Sequence, residues 1–242
     1  MNSMRERRNI QLFGYRNVLL LSGIIFTLAS ASASSANIVK GDSINPSLYS
    51  TNSAPYGVPY QKWAEKWWQW SFSIPQEDHP RQNNTASNCA REQSGPVWFL
   101  ADSLSGTVQR TCVIPTGKSI LVGLLTGECD RSDPTLHNDQ DVRQCATEGN
   151  DYGVIGATLD GVQLQNLNQY RIDSGFYNLT IPPNNIYKEK PGTYRAFTNG
   201  FFAFLQPLRP GTHDLHLTVS VANPVKPQYN YAADWTYHLI VK

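Results

Sequence analysis

The sequence predicts an all-β fold, a β-sandwich or jelly roll that carries one short aromatic amphipathic helix and two disulfides. At least eight short segments rich in β-branched and aromatic residues follow residue 96. Clusters of glycine, proline, asparagine and aspartate separate these segments at the spacing that is typical of β-sandwiches. Four cysteines in a chain with an export-type leader favour disulfides over free thiols.

The first 36 residues have the features of a signal peptide. Four arginines precede an uncharged run over residues 18–28, and a tract of small residues follows and ends at Ala36. The apolar run has about eleven residues, whereas a membrane-spanning helix needs roughly 20. We predict cleavage after Ala36 and a secreted or cell-surface protein, with a retained N-terminal anchor as the alternative.

Residues 37–242 are predicted to form the secreted part of the chain. Removal of four arginines and one glutamate with the leader leaves 16 basic and 18 acidic residues. Because this part has no basic patch and no Lys/Arg run, nucleic acid is not an expected partner. Its length suits one large all-β domain or two small ones, and we favour one. No membrane span is expected after cleavage.

Residues 60–74 are predicted to form the aromatic helix, after an extended lead-in over residues 37–59. Four of the six tryptophans lie within eight residues. Trp63, Trp67 and Trp70 recur at helical spacing and share one face, and a proline on each side bounds the segment. This face is expected to cover one side of a sheet. The alternative is that Trp68 lines a binding site.

The strands follow in chain order. We predict them over residues 97–101, 107–114, 118–125, 154–159, 162–164, 170–172, 177–181, 193–205, 213–221 and 235–241. The first two flank a five-residue loop, residues 102–106, and are predicted to form a hairpin. Asp160-Gly161 predicts a second hairpin, because this dipeptide adopts the positive φ angles of a type I′ turn. A short helix is expected around residues 141–146.

The four cysteines allow three pairings, among which spacing alone cannot choose. We favour Cys89 with Cys112 and Cys129 with Cys145, because these bonds close short local loops. Each bond is expected to stabilise the fold by about 3 kcal/mol. A zinc site is the poorer interpretation, since the chain has no C-x-x-C spacing.

Several motifs occur together in one known group of proteins. They are Tyr60-x-x-Trp63-x-x-x-Trp67-Trp68-Gln69-Trp70, Ser73-Ile-Pro75, His79-Pro80, Gln93-x-Gly95-Pro-Val-Trp-Phe-Leu100, Arg110-x-Cys112-x-x-Pro115-x-Gly117-Lys118 and Pro207-Leu-x-Pro-Gly211-x-His213. This combination resembles an uncharacterised family of secreted proteins from soil bacteria and ammonia-oxidising archaea. The resemblance covers most of the mature chain and implies export and a shared fold, but no catalytic residues. Other members carry an aspartate and Thr-Gly where this chain has Asn84-Thr85-Ala86.

A polar loop after the helix is the first candidate site. Glu77, Asp78 and His79 can converge beside an exposed Trp68, with Glu65 on the polar side of the helix. A carboxylate next to an imidazole can act as a general acid or base, or hold a metal. The alternative is a solvated loop in which the histidine hydrogen-bonds a turn.

An acidic segment inside the second predicted disulfide is a weaker candidate. Asp130, Asp133 and His137 are possible metal ligands there, and clustered oxygen ligands suit Ca²⁺. The spacing does not match an EF-hand, so a solvated charged loop is the favoured interpretation. Separately, Asn83 and Asn178 begin N-glycosylation sequons and are expected in exposed loops.

These patterns favour a secreted binding protein. Aromatic rings beside polar loops suit the faces of sugars, and the near-neutral charge argues against charged partners. The predicted ligand is therefore a glycan or a cell-envelope polymer. No catalytic residue is assigned, and no cofactor is expected, with Ca²⁺ as the alternative. The alternatives are a secreted hydrolase or metal-dependent enzyme centred on residues 77–79, and a purely structural envelope protein. Oligomeric state stays open.

Overall fold

The computed structural model describes residues 47–82, 88–103 and 106–242 of the chain. The helices are α1 (Tyr60–Ser73) and α2 (Asp139–Glu148), and the strands are β1 (Val97–Leu100), β2 (Gly106–Ile114), β3 (Ser119–Asp130), β4 (Gly153–Leu159), β5 (Val162–Gln163), β6 (Arg171–Ile181), β7 (Gly192–Leu205), β8 (Gly211–Val221) and β9 (Tyr231–Val241). The predicted all-β sandwich is confirmed. The predicted leader, residues 1–36, lies outside the described residues.

The strands form two sheets. The four-stranded sheet has the order β1-β3-β7-β6, and the five-stranded sheet has the order β2-β9-β8-β4-β5. The pairs β1/β3 and β2/β9 are parallel, and the remaining pairs are antiparallel. One hydrophobic core extends through both sheets and α1. Within the described residues, no helix combines the length and the apolar character that crossing a bilayer requires.

The prediction of a hairpin between β1 and β2 is wrong. The two strands lie in different sheets, where β1 pairs with β3 and β2 with β9. All four residues of β1 are buried, so this strand needs cover on both faces, which an exposed hairpin would not supply. The chain after β1 instead contacts the second sheet, since the Tyr237 hydroxyl and Arg110 Nη1 both donate to the Ala101 carbonyl.

The second predicted hairpin is confirmed. Strands β4 and β5 pair antiparallel, with Leu159 opposite Val162. Asp160 and Gly161 have φ angles of 52° and 77°, which is the left-handed conformation that a type I′ turn requires at both central positions.

The aromatic face of α1 covers the four-stranded sheet, as predicted. Trp67 is fully buried, and its Nε1 donates to the Leu100 carbonyl at 2.9 Å. The Tyr60 hydroxyl donates to the Phe202 carbonyl at 2.8 Å, and its ring packs edge-on against Phe204. Buried indole and phenol groups therefore satisfy backbone carbonyls of the sheet while filling the space above it.

The five-stranded sheet packs on the opposite face of the four-stranded sheet. Leu125 of β3 pairs with Phe201 of β7. The Leu125 side chain lies directly against Gly153 of β4, where an added Cβ would be only 2.0 Å from the leucine Cδ2. Leu217 and Trp235 contribute fully buried side chains from the second sheet. The order of layers is therefore α1, the four-stranded sheet and the five-stranded sheet.

Glutamine side chains cap both edges of the four-stranded sheet. The Gln69 amide donates to the Thr180 carbonyl at 2.9 Å and accepts from the Thr180 N–H at 3.0 Å. The Gln93 amide makes the same pair of bonds with Phe99, at 2.8 and 2.9 Å. At each position a side-chain amide takes the place of a neighbouring strand, so the backbone groups of the edge residue are satisfied.

Both favoured disulfides are present. Cys89 bonds to Cys112 with a Cα–Cα distance of 5.6 Å, and Cys129 bonds to Cys145 at 6.0 Å. The first bond links the segment before β1 to β2 in the other sheet. The second bond fixes α2 to β3.

Helix α2 is the short helix predicted around residues 141–146. Asn138 and Asp141 form a capping box, in which each side chain accepts a hydrogen bond from the backbone of the other residue. The helix buries only Val142 and Ala146. With so small an apolar face, the position of α2 depends on the disulfide and on close backbone packing.

Gly127 provides that close packing, and we predict that Gly127→Ala destabilises the protein by about 1–3 kcal/mol. A Cβ at Gly127 would lie 2.1 Å from the Ala146 carbonyl oxygen, so the methyl group has to push α2 away from β3. Urea unfolding measures the change. Gly149→Ala is the matched control, because Gly149 has helical backbone angles and nothing lies within 4 Å of its added Cβ. Equal stabilities of the two variants would contradict the prediction.

Candidate functional site

Trp68 does not face solvent, so the expectation that it lines a binding site is wrong. Only 5% of the residue is exposed. Its ring lies between Trp67, Phe72 and Tyr187, with centroid distances of 5.2, 6.1 and 5.6 Å. The helical spacing that places Trp63, Trp67 and Trp70 against the sheet leaves Trp68 at the edge of this face. The Tyr187 ring packs over that edge and covers Trp68.

The residues of the polar loop do not converge. Glu77 is solvent-facing and accepts from Asn184 Nδ2 at 2.7 Å, and Asp78 pairs with Arg91 at 3.1 Å on the surface. His79, in contrast, is fully buried. A centre that combines the two carboxylates with the imidazole is therefore not formed. The cause is the single helical turn Gln76–Asp78, in which neighbouring side chains point away from each other.

The chemistry of His79 also excludes a role as general base. The Arg81 backbone N–H donates to His79 Nδ1 at 3.1 Å, so this nitrogen carries no proton. Burial, together with the charge of Arg81, lowers the pKa of His79 to about 3, so the ring is neutral and its proton is on Nε2. Nε2 lies 3.1 Å from Ser71 Oγ and 3.2 Å from the Ser71 carbonyl. A protonated Nε2 donates there and cannot take a proton from the serine.

The other residues predicted for a site serve local roles. Glu65 pairs with Lys62 at 2.7 Å, and burial raises the pKa of Glu65 although the lysine partly offsets this. Asn178 is exposed, as a sequon requires, but lies in β6 instead of a loop. Asn83 lies outside the described residues.

The proposed metal ligands are not brought together. The Asp130 carboxylate is buried and accepts from the Ser132 N–H at 2.5 Å, and burial raises the pKa of Asp130. Asp133 accepts from the backbone and the hydroxyl of Thr135 at 2.8 and 2.7 Å. His137 adds no third ligand, and residues 47–82, 88–103 and 106–242 contain no group of three or more His, Cys, Asp or Glu side chains that could hold a metal ion.

A shallow depression, called here the pocket, lies at the junction of α2 with the four-stranded sheet. It has a volume of about 430 Å³ and is widely open to solvent. Thr147 lines it from α2, Arg171, Ile172 and Asp173 line it from β6, and Asn199 lines it from β7. A volume of this size is in the range of small-ligand pockets, which are about 300–1,000 Å³.

The Asn199 amide is fixed in the wall of this pocket. Its Oδ1 accepts from Arg171 Nε at 3.0 Å and from the buried Asn150 Nδ2 at 3.1 Å. Its Nδ2 donates to Asp173 Oδ1 at 2.7 Å. Because each side of the amide has its own partners, the amide has a single orientation.

The charges around the pocket are balanced in pairs. Asp173 Oδ2 accepts from Arg143 Nη2 at 2.7 Å, and Arg171 Nη2 pairs with Asp151 at 2.6 Å. The Arg171 guanidinium also stacks over the Phe201 ring at 5.6 Å. Two guanidinium groups and two carboxylates leave the pocket without net charge, while both kinds of group keep unused hydrogen-bonding positions.

The sequence contains one signal of this pocket that periodicity does not reveal. Thr198-Asn199 interrupts the otherwise apolar part of β7 over residues 196–205, and both residues are buried. A buried polar pair in such a strand has to be hydrogen-bonded, and here Asn199 joins the pocket network. Arg171 and Asp173 carry no such signal, since alternating polar residues are common on the outer face of a strand.

Comparison with known proteins gives no family. No protein-family model matches the sequence, and no match was found among curated proteins. A solved structure of PbICP-C in complex with falcipain-2 resembles the chain with 9% identity and a TM-score of 0.23, covering 61% of this chain and 100% of that one. A TM-score of this size implies nothing about the fold or function of this protein.

Proposed function

We propose that this protein is a secreted binding module for a neutral glycan, and that the pocket around Asn199 is its site. The observation that carries the proposal is the fixed, charge-balanced network of Arg171, Asp173 and Asn199 at the wall of an open pocket. Every sugar hydroxyl is both a donor and an acceptor. A wall that offers guanidinium N–H groups beside carboxylate oxygens therefore matches neighbouring hydroxyls of a saccharide.

The charge balance favours a neutral ligand. An anionic ligand would have to compete with Asp151 and Asp173 for the guanidinium groups, and a cationic ligand would have to compete with Arg143 and Arg171 for the carboxylates. A hydroxyl-rich neutral ligand leaves both ion pairs intact and uses the positions that they do not occupy.

Rigidity supports the same proposal. The Cys129–Cys145 bond fixes α2, which contributes Thr147 and Arg143, and Asn150 fixes the Asn199 amide from behind. A pre-organised wall lowers the entropy that binding has to overcome. The two disulfides are also typical of proteins in an oxidising compartment, which agrees with export by the predicted leader.

Titration of the mature chain, residues 37–242, with four neutral polysaccharides tests the proposal: laminarin, xylan, dextran and hydroxyethyl cellulose. Alginate serves as an anionic comparison. A ligand at 100 times its dissociation constant stabilises the native state by about 2.7 kcal/mol, which corresponds to a rise of about 5–10 °C in the unfolding midpoint. A rise with a neutral polymer and none with alginate is the expected result.

Asp173→Ala is predicted to weaken that binding by about 10-fold or more, because a hydrogen bond to a charged group contributes about 1.5–3 kcal/mol. Its free energy of unfolding should fall by about 1–3 kcal/mol, because the buried Asn199 Nδ2 loses its acceptor, while loss of the exposed Arg143–Asp173 ion pair adds little. Isothermal titration calorimetry measures both affinity and stoichiometry.

Asp139→Ala is the matched control for that variant. It removes an equally exposed ion pair, with Arg195 at 2.8 Å, which also involves α2 but lies outside the pocket lining. If Asp139→Ala keeps its affinity for the glycan and Asp173→Ala loses it, the pocket around Asn199 is the binding site. Full affinity in Asp173→Ala contradicts the assignment.

A further inference from the structure

Tyr56 has an unusual backbone for an aromatic residue. Its φ and ψ angles are 57° and 29°, within the single turn Pro55–Gly57. This left-handed conformation is unfavourable for residues that carry a Cβ, and Asn and Asp tolerate it best. Among the described non-glycine residues with positive φ, three are Asp or Asn and two are long charged residues, which leaves Tyr56 as the aromatic one.

Two contacts hold the Tyr56 ring in place, and a third fixes the tryptophan that it packs against. Its hydroxyl lies 2.8 Å from Ser119 Oγ, and its ring packs edge-on against Trp63 with centroids 6.3 Å apart. Trp63 in turn donates from Nε1 to the Pro55 carbonyl at 3.0 Å. The ring is therefore fixed in orientation at both its hydroxyl end and its edge.

This rigid ring is not a core residue, because 46% of Tyr56 is exposed to solvent. Burial contributes little to keeping it in a strained conformation, and an Asn or Gly would relieve the strain. Strained residues that the surroundings hold in place are concentrated at ligand-binding positions. The strained backbone at Tyr56 holds the ring with its edge against Trp63 and leaves much of its aromatic surface open to solvent.

We propose that Tyr56 is the stacking surface of a second saccharide-binding site, separate from the pocket around Asn199. The apolar C–H face of a pyranose ring matches the exposed aromatic face. The half-buried Tyr49 hydroxyl, which lies 3.2 Å from the same Ser119 Oγ that holds the Tyr56 hydroxyl, supplies a polar group for a sugar hydroxyl, while Ser119 itself is fully buried. The ligand class is again a neutral glycan, so this inference rests on the proposed function. The residues that form this second site are different from those of the pocket around Asn199.

The two sites lie on opposite faces of the four-stranded sheet. Successive side chains of a strand point to opposite faces. The pocket residue Arg171 stacks on Phe201 of β7, whereas Trp63, which supports Tyr56, packs on Phe204. Occupation of one site therefore does not block the other, and one chain can hold two saccharide segments at once.

Calorimetric titration with laminarihexaose, xylohexaose and cellohexaose tests this inference through stoichiometry. We expect one of these oligosaccharides to bind twice per wild-type chain, and to bind once to Tyr56→Ala and once to Asp173→Ala. Tyr152→Ala is the matched control, since Tyr152 is also exposed, at 37%, but has an ordinary backbone conformation. It should keep both binding events.

Tyr56→Asn separates binding from stability. This variant loses the same ring as Tyr56→Ala but carries a residue that tolerates positive φ, so it should unfold at a higher temperature than Tyr56→Ala. Both variants should nevertheless lose the same binding event. If only Tyr56→Ala, the less stable variant, lost this binding event, the loss would result from unfolding and the inference would be overturned.

The remaining outcomes are equally decisive. A single binding event that Asp173→Ala abolishes and Tyr56→Ala leaves unchanged overturns the second site and keeps the proposed function. A single event that depends on Tyr56 alone overturns the pocket as the site. No binding of any of the three oligosaccharides by the wild-type chain overturns both.

Discussion

Trp68→Ala will lower the free energy of unfolding by about 3–5 kcal/mol, the usual cost of removing a large aromatic side chain from a core. Only 5% of Trp68 is exposed, and its ring contacts Trp67, Phe72 and Tyr187. Truncation leaves a cavity between α1 and the Tyr187 ring, which these rigid neighbours cannot fill. Guanidinium unfolding of the purified variant measures the loss.

Phenylalanine variants sharpen this prediction. The described residues offer no hydrogen-bond acceptor to Trp68 Nε1, whereas Trp67 Nε1 donates to the Leu100 carbonyl at 2.9 Å. Trp68→Phe loses packing only, while Trp67→Phe also leaves a buried carbonyl unpaired, which costs about 1–3 kcal/mol more. If Trp68→Ala kept full stability and lost glycan binding, Trp68 would be a ligand contact after all.

Asp102→Ala is expected to cost a similar amount, about 3–5 kcal/mol, because it leaves a buried guanidinium without its counter-charge. Arg81 is 4% exposed, and both its Nε and its Nη2 donate to the Asp102 carboxylate, the latter at 2.7 Å. Burial alone would lower the pKa of Arg81, but the carboxylate outweighs this and the pKa rises, so the arginine stays charged. Denaturant unfolding at neutral pH measures the effect.

Replacement of both partners tests the same interpretation. Arg81→Met combined with Asp102→Leu removes the two charges together and keeps apolar volume against the rings of Tyr187 and Trp68, over which Arg81 stacks at 4.9 and 5.9 Å. Such replacements are often neutral in other proteins, so the double variant should be more stable than Asp102→Ala. A double variant that is less stable would show that the ion pair itself stabilises the fold.

Local sequence patterns predict much of this fold. The spacing of the tryptophans gives α1 to within one residue, since the helix ends at Ser73 just before the proline at position 75. Asp160-Gly161 gives the β4–β5 turn. Spacing leaves three cysteine pairings open, and the preference for short local loops favours the two disulfides that are present. In each case the interaction joins residues that are near in sequence, which is why local patterns are informative.

Interactions between distant residues set the rest. The chain between β1 and β2 looks like a hairpin loop, but Tyr237, more than 100 positions away, ties Ala101 to the other sheet. The polar loop looks like a catalytic site, but Ser71 and Tyr187 enclose the region into which His79 points. The pocket joins α2, β6 and β7, and no spacing in the sequence brings these together. Tertiary packing decided these features, and local patterns do not encode it.

The glutamine caps on the four-stranded sheet have a consequence for the behaviour of the chain at high concentration. A free sheet edge recruits strands from other molecules, which leads to domain swapping and fibrils. The backbone groups of Thr180 and Phe99 are already occupied by Gln69 and Gln93. A polar side chain from the same molecule thus blocks intermolecular strand addition at these positions, and a protein rich in apolar β-strands gains resistance to aggregation.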